Sequence, residues 1–202
     1  MTLLNTFLLL AVALATPGLI NRIRARLAGR RGIRFMQHLY DLRLHLRKGA
    51  VYSSTTTALF RTAPSVYLGA AIVAALTIPV GDLRPLLAFE GDLVCMAYTL
   101  ALGRFALILA AMDTGSAFEG MGASREALYG ALVEPALMLA GGTLALLTGC
   151  TSFARIFDPA VMPGAQFVIV LLLTAYVLVK IVFTESGRVP VDDPRTHLEL
   201  TM

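Results

Sequence analysis

Residues 127–149 read ALYGALVEPALMLAGGTLALLTG, an apolar stretch that contains one charged side chain, Glu134. The stretch is long enough to cross a bilayer core of about 30 Å as a single helix. The composition of the whole chain agrees, since 57% of its residues are hydrophobic, 15% are charged and the mean hydropathy is +0.74. These values exclude an ordinary water-soluble domain and predict an integral membrane protein.

Four further apolar runs also have the length of a membrane crossing. They lie at 3–20, 63–80, 92–112 and 166–186. Basic residues follow the first run rather than precede it, which is opposite to the charge order of a cleaved signal peptide. We therefore predict an all-α integral membrane protein, with a single membrane domain over 1–202 and five transmembrane helices.

The basic residues indicate how these helices are oriented. Nine of the seventeen Lys and Arg lie between Arg22 and Lys48. Cytoplasmic loops are enriched in Lys and Arg, so this clustering is interpreted as topology rather than as a nucleic-acid-binding surface. The sequence predicts an inner-membrane protein with its N-terminus outside and its C-terminus in the cytoplasm. The predicted cytoplasmic loops are 21–62, 113–126 and 187–202.

The basic loop also contains an amphipathic pattern. Phe35, Leu39, Leu42 and Leu46 recur at helical spacing, with polar residues between them. This pattern predicts a short cytoplasmic helix that lies on or near the membrane surface.

Two charged residues lie deep inside predicted spans, away from both ends. Glu134 precedes Pro135, which removes one helical hydrogen bond, and an intramembrane carboxylate beside such a kink is either a proton carrier or a neutral side chain bonded to a neighbouring helix. Arg104 lies too deep to reach the interface easily, so we expect it to pair with a carboxylate. Glu134 is a candidate partner, but the sequence leaves that contact open.

Other potential ligands have simpler interpretations. His38, Asp41 and His45 share a helical face, but on a basic surface helix they are interpreted as a solvated polar stripe rather than a metal site. Cys95 and Cys150 both map to the outer ends of predicted spans. The sequence leaves two interpretations open, a disulfide between them or simple apolar packing of two free thiols. Two cysteines cannot hold an iron–sulfur cluster with about four thiolate ligands. The sequence therefore shows no catalytic group, metal site or cofactor site of its own.

Three stretches resemble the subunit 1 family of respiratory complex I. The resemblance is closer to its relatives in energy-converting nickel–iron hydrogenases and formate hydrogenlyase. The stretches are 21–32 (NRIRARLAGRRG, with Gln37 and Asp41 after it), 113–126 (DTGSAFEGMGASRE, continuing to Glu134 and Pro135), and the closing segment with Asp192, Pro194, Glu199 and Leu200.

The resemblance implies a non-redox membrane anchor that docks a peripheral electron-transfer arm and couples redox chemistry to proton or sodium translocation. It implies partners that this chain does not itself contain: hydrogenase-like large and small subunits with a nickel–iron centre and iron–sulfur clusters, and antiporter-like membrane subunits in the lipid bilayer. It places Glu134, Arg104, Glu119 and Glu126 on a proton path. It places Arg26, Arg31, Asp41, Arg125, Asp192, Asp193 and Glu199 in the loops that line the cavity or face the arm.

The closing segment departs from the complex I pattern. Arg195 and His197 stand where complex I members carry glutamates, which weakens a quinone site and favours the hydrogenase branch. A quinone-site wall of a complex I-like NADH:quinone oxidoreductase is the alternative. Family members also continue beyond this length with further spans, so we expect a truncated, split or two-piece subunit.

Overall fold

The computed structural model describes residues 2–158 and 164–187, and in this part of the chain the regular elements are helices joined by loops, with one isolated bridge between Val80 and Leu83. The helices in chain order are α1 (Thr2–Leu27), α2 (Gln37–His45), α3 (Ala58–Thr77), α4 (Asp92–Asp113), α5 (Ala117–Thr148), α6 (Phe153–Ile156) and α7 (Gly164–Glu185).

Five of these helices, α1, α3, α4, α5 and α7, are long and apolar enough to cross a membrane. The predicted all-α fold with five transmembrane helices is confirmed. The short helix expected in the basic loop is present as α2, between the first two membrane helices. The chain is thus a multi-pass membrane protein.

The boundary of α5 differs from the sequence prediction. We expected a loop over 113–126 and a helix from 127, but α5 begins at Ala117 and only residues 114–116 separate it from α4. Gly115 has a positive φ of 70° and turns the chain, while Ser116 at the N-cap donates its hydroxyl to Glu119 in the first turn. Since α5 has 32 residues, it is about 48 Å long and exceeds the thickness of a bilayer core.

Small side chains bring α3 and α4 close together. Ala63, Ala70 and Ala74 of α3 are buried, and a Cβ atom added at Gly103 of α4 would lie 3.1 Å from the Cβ atom of Ala70. Lipid provides no hydrophobic drive between helices, so membrane helices rely on close backbone approach of this kind. The α3–α4 pair is therefore held by backbone proximity.

Side chains also fix the ends of this pair. Asp113, the last residue of α4, accepts hydrogen bonds from the backbone N–H (2.7 Å) and the hydroxyl (2.8 Å) of Thr57 and from the Phe60 N–H (3.3 Å), so it caps the N-terminus of α3. At the opposite end the amide of Asn5, buried in α1, donates to the Ile78 carbonyl (3.0 Å) and accepts from the Val80 N–H (2.7 Å). Asn5 thus joins α1 to the end of α3.

The end of the bundle away from the basic loop holds an apolar core. Leu93, Leu144, Cys150, Ile156 and Phe167 form one buried cluster there. Cys95 and Cys150 are both free thiols, so the disulfide that the sequence left open is not formed in the structure. Cys150 instead packs as an apolar side chain.

A buried carboxylate orders the α5–α6 connection. Asp92 is fully buried and accepts hydrogen bonds from the Ser152 hydroxyl and the Phe153 N–H, each at 2.8 Å. The Phe153 N–H belongs to the first turn of α6, where an acceptor is required. Asp92 therefore ties the start of α4 to the chain that follows α5.

Replacing Gly103 with Leu should destabilise the fold, because the new side chain would be forced between α3 and α4. Overpacking of this kind costs about 1–3 kcal/mol. The measurement is the unfolding midpoint of the purified chain in detergent. Gly69→Leu on α3 is the matched control, since a Cβ atom there meets nothing within 4 Å. Equal midpoints for the two variants would contradict the packing described for α3 and α4.

Candidate functional site

Arg104, near the middle of α4, contacts three carboxylates. Its Nε atom lies 3.2 Å from Glu126 Oε1, and its Nη1 atom lies 3.3 Å from Glu134 Oε1. Its Nη2 atom donates to Glu185 Oε1, at the end of α7. One side chain thus joins α4, α5 and α7. We call Arg104 and these three glutamates the carboxylate cluster.

The spacing on α5 explains how two of its carboxylates reach one guanidinium. Glu126, Gly130 and Glu134 follow at four-residue intervals and therefore lie along one face of the helix. A Cβ atom added at Gly130 would lie 2.7 Å from Arg104 Nη1 and 3.0 Å from its Cδ atom. The glycine leaves room for the arginine to lie against α5, with one carboxylate a turn before it and the other a turn after it.

The cluster has an excess of negative charge. Within residues 2–158 and 164–187, Arg104 is the one base that forms an ion pair with any of the three glutamates. The Arg104 side chain is 13% exposed, whereas Glu126, Glu134 and Glu185 are 50%, 44% and 37% exposed on the surface of this chain. When all four groups are ionised, three negative charges therefore share one positive charge.

Two cavities adjoin the cluster on the α4–α5 side. One has a volume of about 470 Å³ and is lined by Arg104, Gly130 and Glu134 among others, and one of about 270 Å³ is lined by Glu134, Pro135 and Met138 among others. Glu134 borders both. A carboxylate placed beside open space and next to an arginine can exchange a proton or a cationic partner without a change of fold.

The structure brings together three of the four residues predicted for the proton path. Arg104, Glu126 and Glu134 meet in the cluster, which answers the question that the sequence left open about Arg104 and Glu134. Glu119 lies in the first turn of α5 and bonds to Ser116 instead. The sequence analysis missed two residues of this site. For Gly130, the four-residue spacing from Glu126 and Glu134 was an available signal. For Glu185, which ends an apolar run, the sequence offered no signal.

The described residues predicted to line the cavity or face the arm are spread over the end of α1, the basic loop with α2, and the first part of α5. Arg26, in the last turn of α1, and Arg31, in the following loop, are exposed, as are all nine bases between Arg22 and Lys48. We call these nine bases the basic surface. Arg125 stacks over the ring of Tyr129 (5.2 Å). Asp192, Asp193 and Glu199 lie outside the described residues.

The polar stripe on α2 is engaged within its own helix. Asp41 is half-buried and accepts a hydrogen bond from the Gln37 amide at 2.9 Å. A ring nitrogen of His45 lies 2.7 Å from the Asp41 carbonyl oxygen. These contacts agree with the interpretation of the stripe as a polar helix face.

A larger cavity, of about 600 Å³, lies at the end of the bundle away from the basic surface. It is lined by Glu90 and Arg155, whose side chains pair with each other, and Thr151 donates its hydroxyl to Glu90 at 2.9 Å. The Thr151 hydrogen bond, followed by Arg155, holds the pKa of Glu90 below its usual range. These contacts join the two connections at that end, so we assign them a structural role.

Comparison with known proteins gives consistent relatives. The NADH dehydrogenase family matches residues 1–202. Formate hydrogenlyase subunit 4 of Escherichia coli (strain K12) is 33% identical over 198 residues, which are 98% of this chain and 64% of that protein. Hydrogenase-4 component C of the same organism is also 33% identical over 198 residues, which are 98% of this chain and 62% of that protein. This chain therefore spans less than two thirds of either relative.

A solved structure has the same fold. A chain in the structure of the membrane-bound sulfane sulfur reductase, an archaeal respiratory membrane complex, matches with a TM-score of 0.76 at 25% identity. The match covers 92% of this chain and 61% of that chain. The helix arrangement described above is therefore shared with a respiratory membrane complex.

Replacing Arg104 with Ala should destabilise the chain, because three carboxylates would lose their only described ion pair. The loss of a charged hydrogen-bond partner costs about 1–3 kcal/mol. The loss of stability is measured by thermal unfolding in lipid nanodiscs. Arg84→Ala, in the exposed α3–α4 connection, is the control. Adding Glu134→Gln to Arg104→Ala should recover part of the loss. An Arg104→Ala variant as stable as Arg84→Ala would show that the carboxylate cluster does not stabilise the fold.

Proposed function

The chain belongs to the NADH dehydrogenase family, and on this premise we propose that it is a membrane subunit of an oxidoreductase complex related to complex I, of the hydrogenase-4 or formate hydrogenlyase type. In this proposal the chain carries no redox group. It anchors a peripheral electron-transfer arm to the inner membrane and couples the redox reaction to translocation of protons or sodium ions.

The carboxylate cluster is the observation that carries the coupling role. Charged residues inside a membrane are costly, and those that are present commonly mark ion and proton pathways. Here Arg104 holds Glu126, Glu134 and Glu185 at a point where three membrane helices meet. A structural ion pair needs one carboxylate, so two additional ones favour a role in which protonation changes.

The geometry suggests how such a change would occur. Arg104 forms an ion pair with each of the three carboxylates. A shift of α4 relative to α5 or α7 would lengthen one of these contacts and leave the others in place. The carboxylate that Arg104 leaves would then need another partner, which in this proposal is the translocated ion.

The basic surface is the proposed docking site for the arm. Nine exposed bases with Asp41 as the one acid between Arg22 and Lys48 present a strongly positive face. Such a face attracts an acidic partner surface and speeds its association. By the distribution of Lys and Arg, this end of the bundle faces the cytoplasm. Iron–sulfur clusters and the nickel–iron centre would belong to the arm, since this chain has two cysteines.

Replacing Glu134 with Gln should reduce ion translocation by the assembled complex at least fivefold, because the amide keeps the shape but cannot bind and release a proton. Translocation is measured as acidification of a dye-loaded vesicle during turnover. The electron-transfer rate and the subunit composition should stay close to wild type. Asp82→Asn, an exposed carboxylate at the opposite end, is the control.

Unchanged translocation in Glu134→Gln would remove Glu134 from the path. Loss of assembly in both variants would instead indicate a general defect. The same preparation distinguishes the proposed function from the quinone-site alternative. If the chain forms the wall of a quinone site, quinone-site blockers should inhibit the complex. If the complex is of the hydrogenase type, it should evolve hydrogen without a quinone.

Reversing two charges of the basic surface should weaken docking of the arm. We expect Arg26→Glu with Arg31→Glu to lower the amount of co-purified peripheral subunits several-fold, and higher salt should lower it for the wild type because exposed charges are screened. Arg84→Glu, at the other end, is the matched control. Full retention of the arm by the double variant at every salt concentration would place the docking site elsewhere.

A further inference from the structure

A continuous groove runs along α4 and α5 on the surface of the bundle. The two cavities beside the carboxylate cluster share four lining residues, Tyr98, Ala101, Ala131 and Glu134, and therefore form one depression. We call it the α4–α5 groove. It extends from Ala127 near the basic end to Met138 further along α5.

The shape of the groove suits a helix. Its α4 side includes Ala97 and Ala101, and its α5 side includes Ala127, Gly130 and Ala131. Small residues arranged along two helices let the backbone of a third helix approach closely. The exposed aromatic side chain of Tyr98 stands at the groove, where it provides an apolar wall.

The floor of the groove contains the Glu134 carboxylate. Glu134 borders both cavities, its side chain is 44% exposed, and its Oε1 atom accepts a hydrogen bond from Arg104 (3.3 Å). Pro135 has no N–H group, so it cannot donate to the carbonyl of Ala131, four residues earlier in α5 and also on the groove. Ala131 and Glu134 thus line the same space, beside a cluster with more carboxylates than bases.

We propose that the α4–α5 groove docks a membrane-spanning helix of a partner subunit that carries a Lys or Arg at the level of Glu134. The ammonium or guanidinium group would donate to the Glu134 carboxylate and the Ala131 carbonyl, and would balance part of the excess negative charge. The presence of partner subunits rests on the proposed function. The inference that the docking residue is positively charged depends only on the residues in and beside the groove.

Other occupants fit the charges less well. A lipid acyl chain would leave the excess carboxylates of the cluster facing hydrocarbon, which is costly. An anionic lipid headgroup would be repelled by the same carboxylates. A second copy of this chain packed on the same face would bring a second set of the same carboxylates against the first.

Photo-crosslinking within the assembled complex tests the proposal. Tyr98 is replaced with a photoreactive phenylalanine, and Tyr176, an exposed tyrosine of α7 outside the groove, receives the same group as a control. Mass spectrometry of the linked peptide should identify an apolar helix of another subunit that contains a Lys or Arg. The Tyr176 probe should not label that helix.

Two further variants test the fit and the charge. Ala131→Leu fills the groove and should reduce the Tyr98 crosslink at least tenfold, whereas Gly142→Leu, on the same helix in open space, should not. Glu134→Lys should abolish the crosslink, and changing the identified partner base to Glu in the same complex should restore it.

The proposal is wrong when Tyr98 labels lipid only, a second copy of this chain, another part of the same polypeptide, or a helix without a basic residue. It is also wrong when the charge exchange fails to restore a crosslink lost in Glu134→Lys. The intact complex would still co-purify in each of these cases, so the proposed function would stand. Absence of any complex would instead contradict the proposed function itself.

Discussion

A charge inside a membrane requires an opposite charge beside it, and Arg104 is the residue through which this chain meets that requirement. Its guanidinium has five donors in a planar fork, which is enough for three carboxylates. Because those carboxylates come from α5 and α7, one side chain ties both of these helices to α4. Gly130 is part of the same arrangement, since any larger residue would push the arginine off α5.

The number of helices could be predicted from the sequence because bilayer thickness sets a minimum apolar length. The start of α5 was predicted wrongly, because glycines at 115, 120 and 122 are typical of a loop. Ser116 followed by Glu119 was nevertheless a helix-start signal in the same stretch. Glu134 was a candidate partner of Arg104 in the sequence, but the full set of partners was not predictable from it. Spacing shows which residues share a face of one helix, but not which face meets another helix, and so Glu185 was missed.

The two ends and the middle of the bundle have different chemistry. The end near α2 is strongly positive, the middle holds a surplus of carboxylates, and the far end is closed by paired polar groups such as Asp92 with Ser152. Asp113 connects the first two levels, because it ends α4 and caps α3 beside the basic loop. A movement imposed on that loop would therefore reach α4, and with it Arg104.

Asn5 has a consequence for how the chain is made. Its amide bonds only to backbone groups of residues 78 and 80, more than 70 positions later in the sequence. At ribosomal speeds of about 5–20 residues per second, that gap takes about 4–15 s to synthesise. During this time the Asn5 amide lacks its final partners, and so the contact between α1 and the end of α3 forms only after residue 80 has been synthesised.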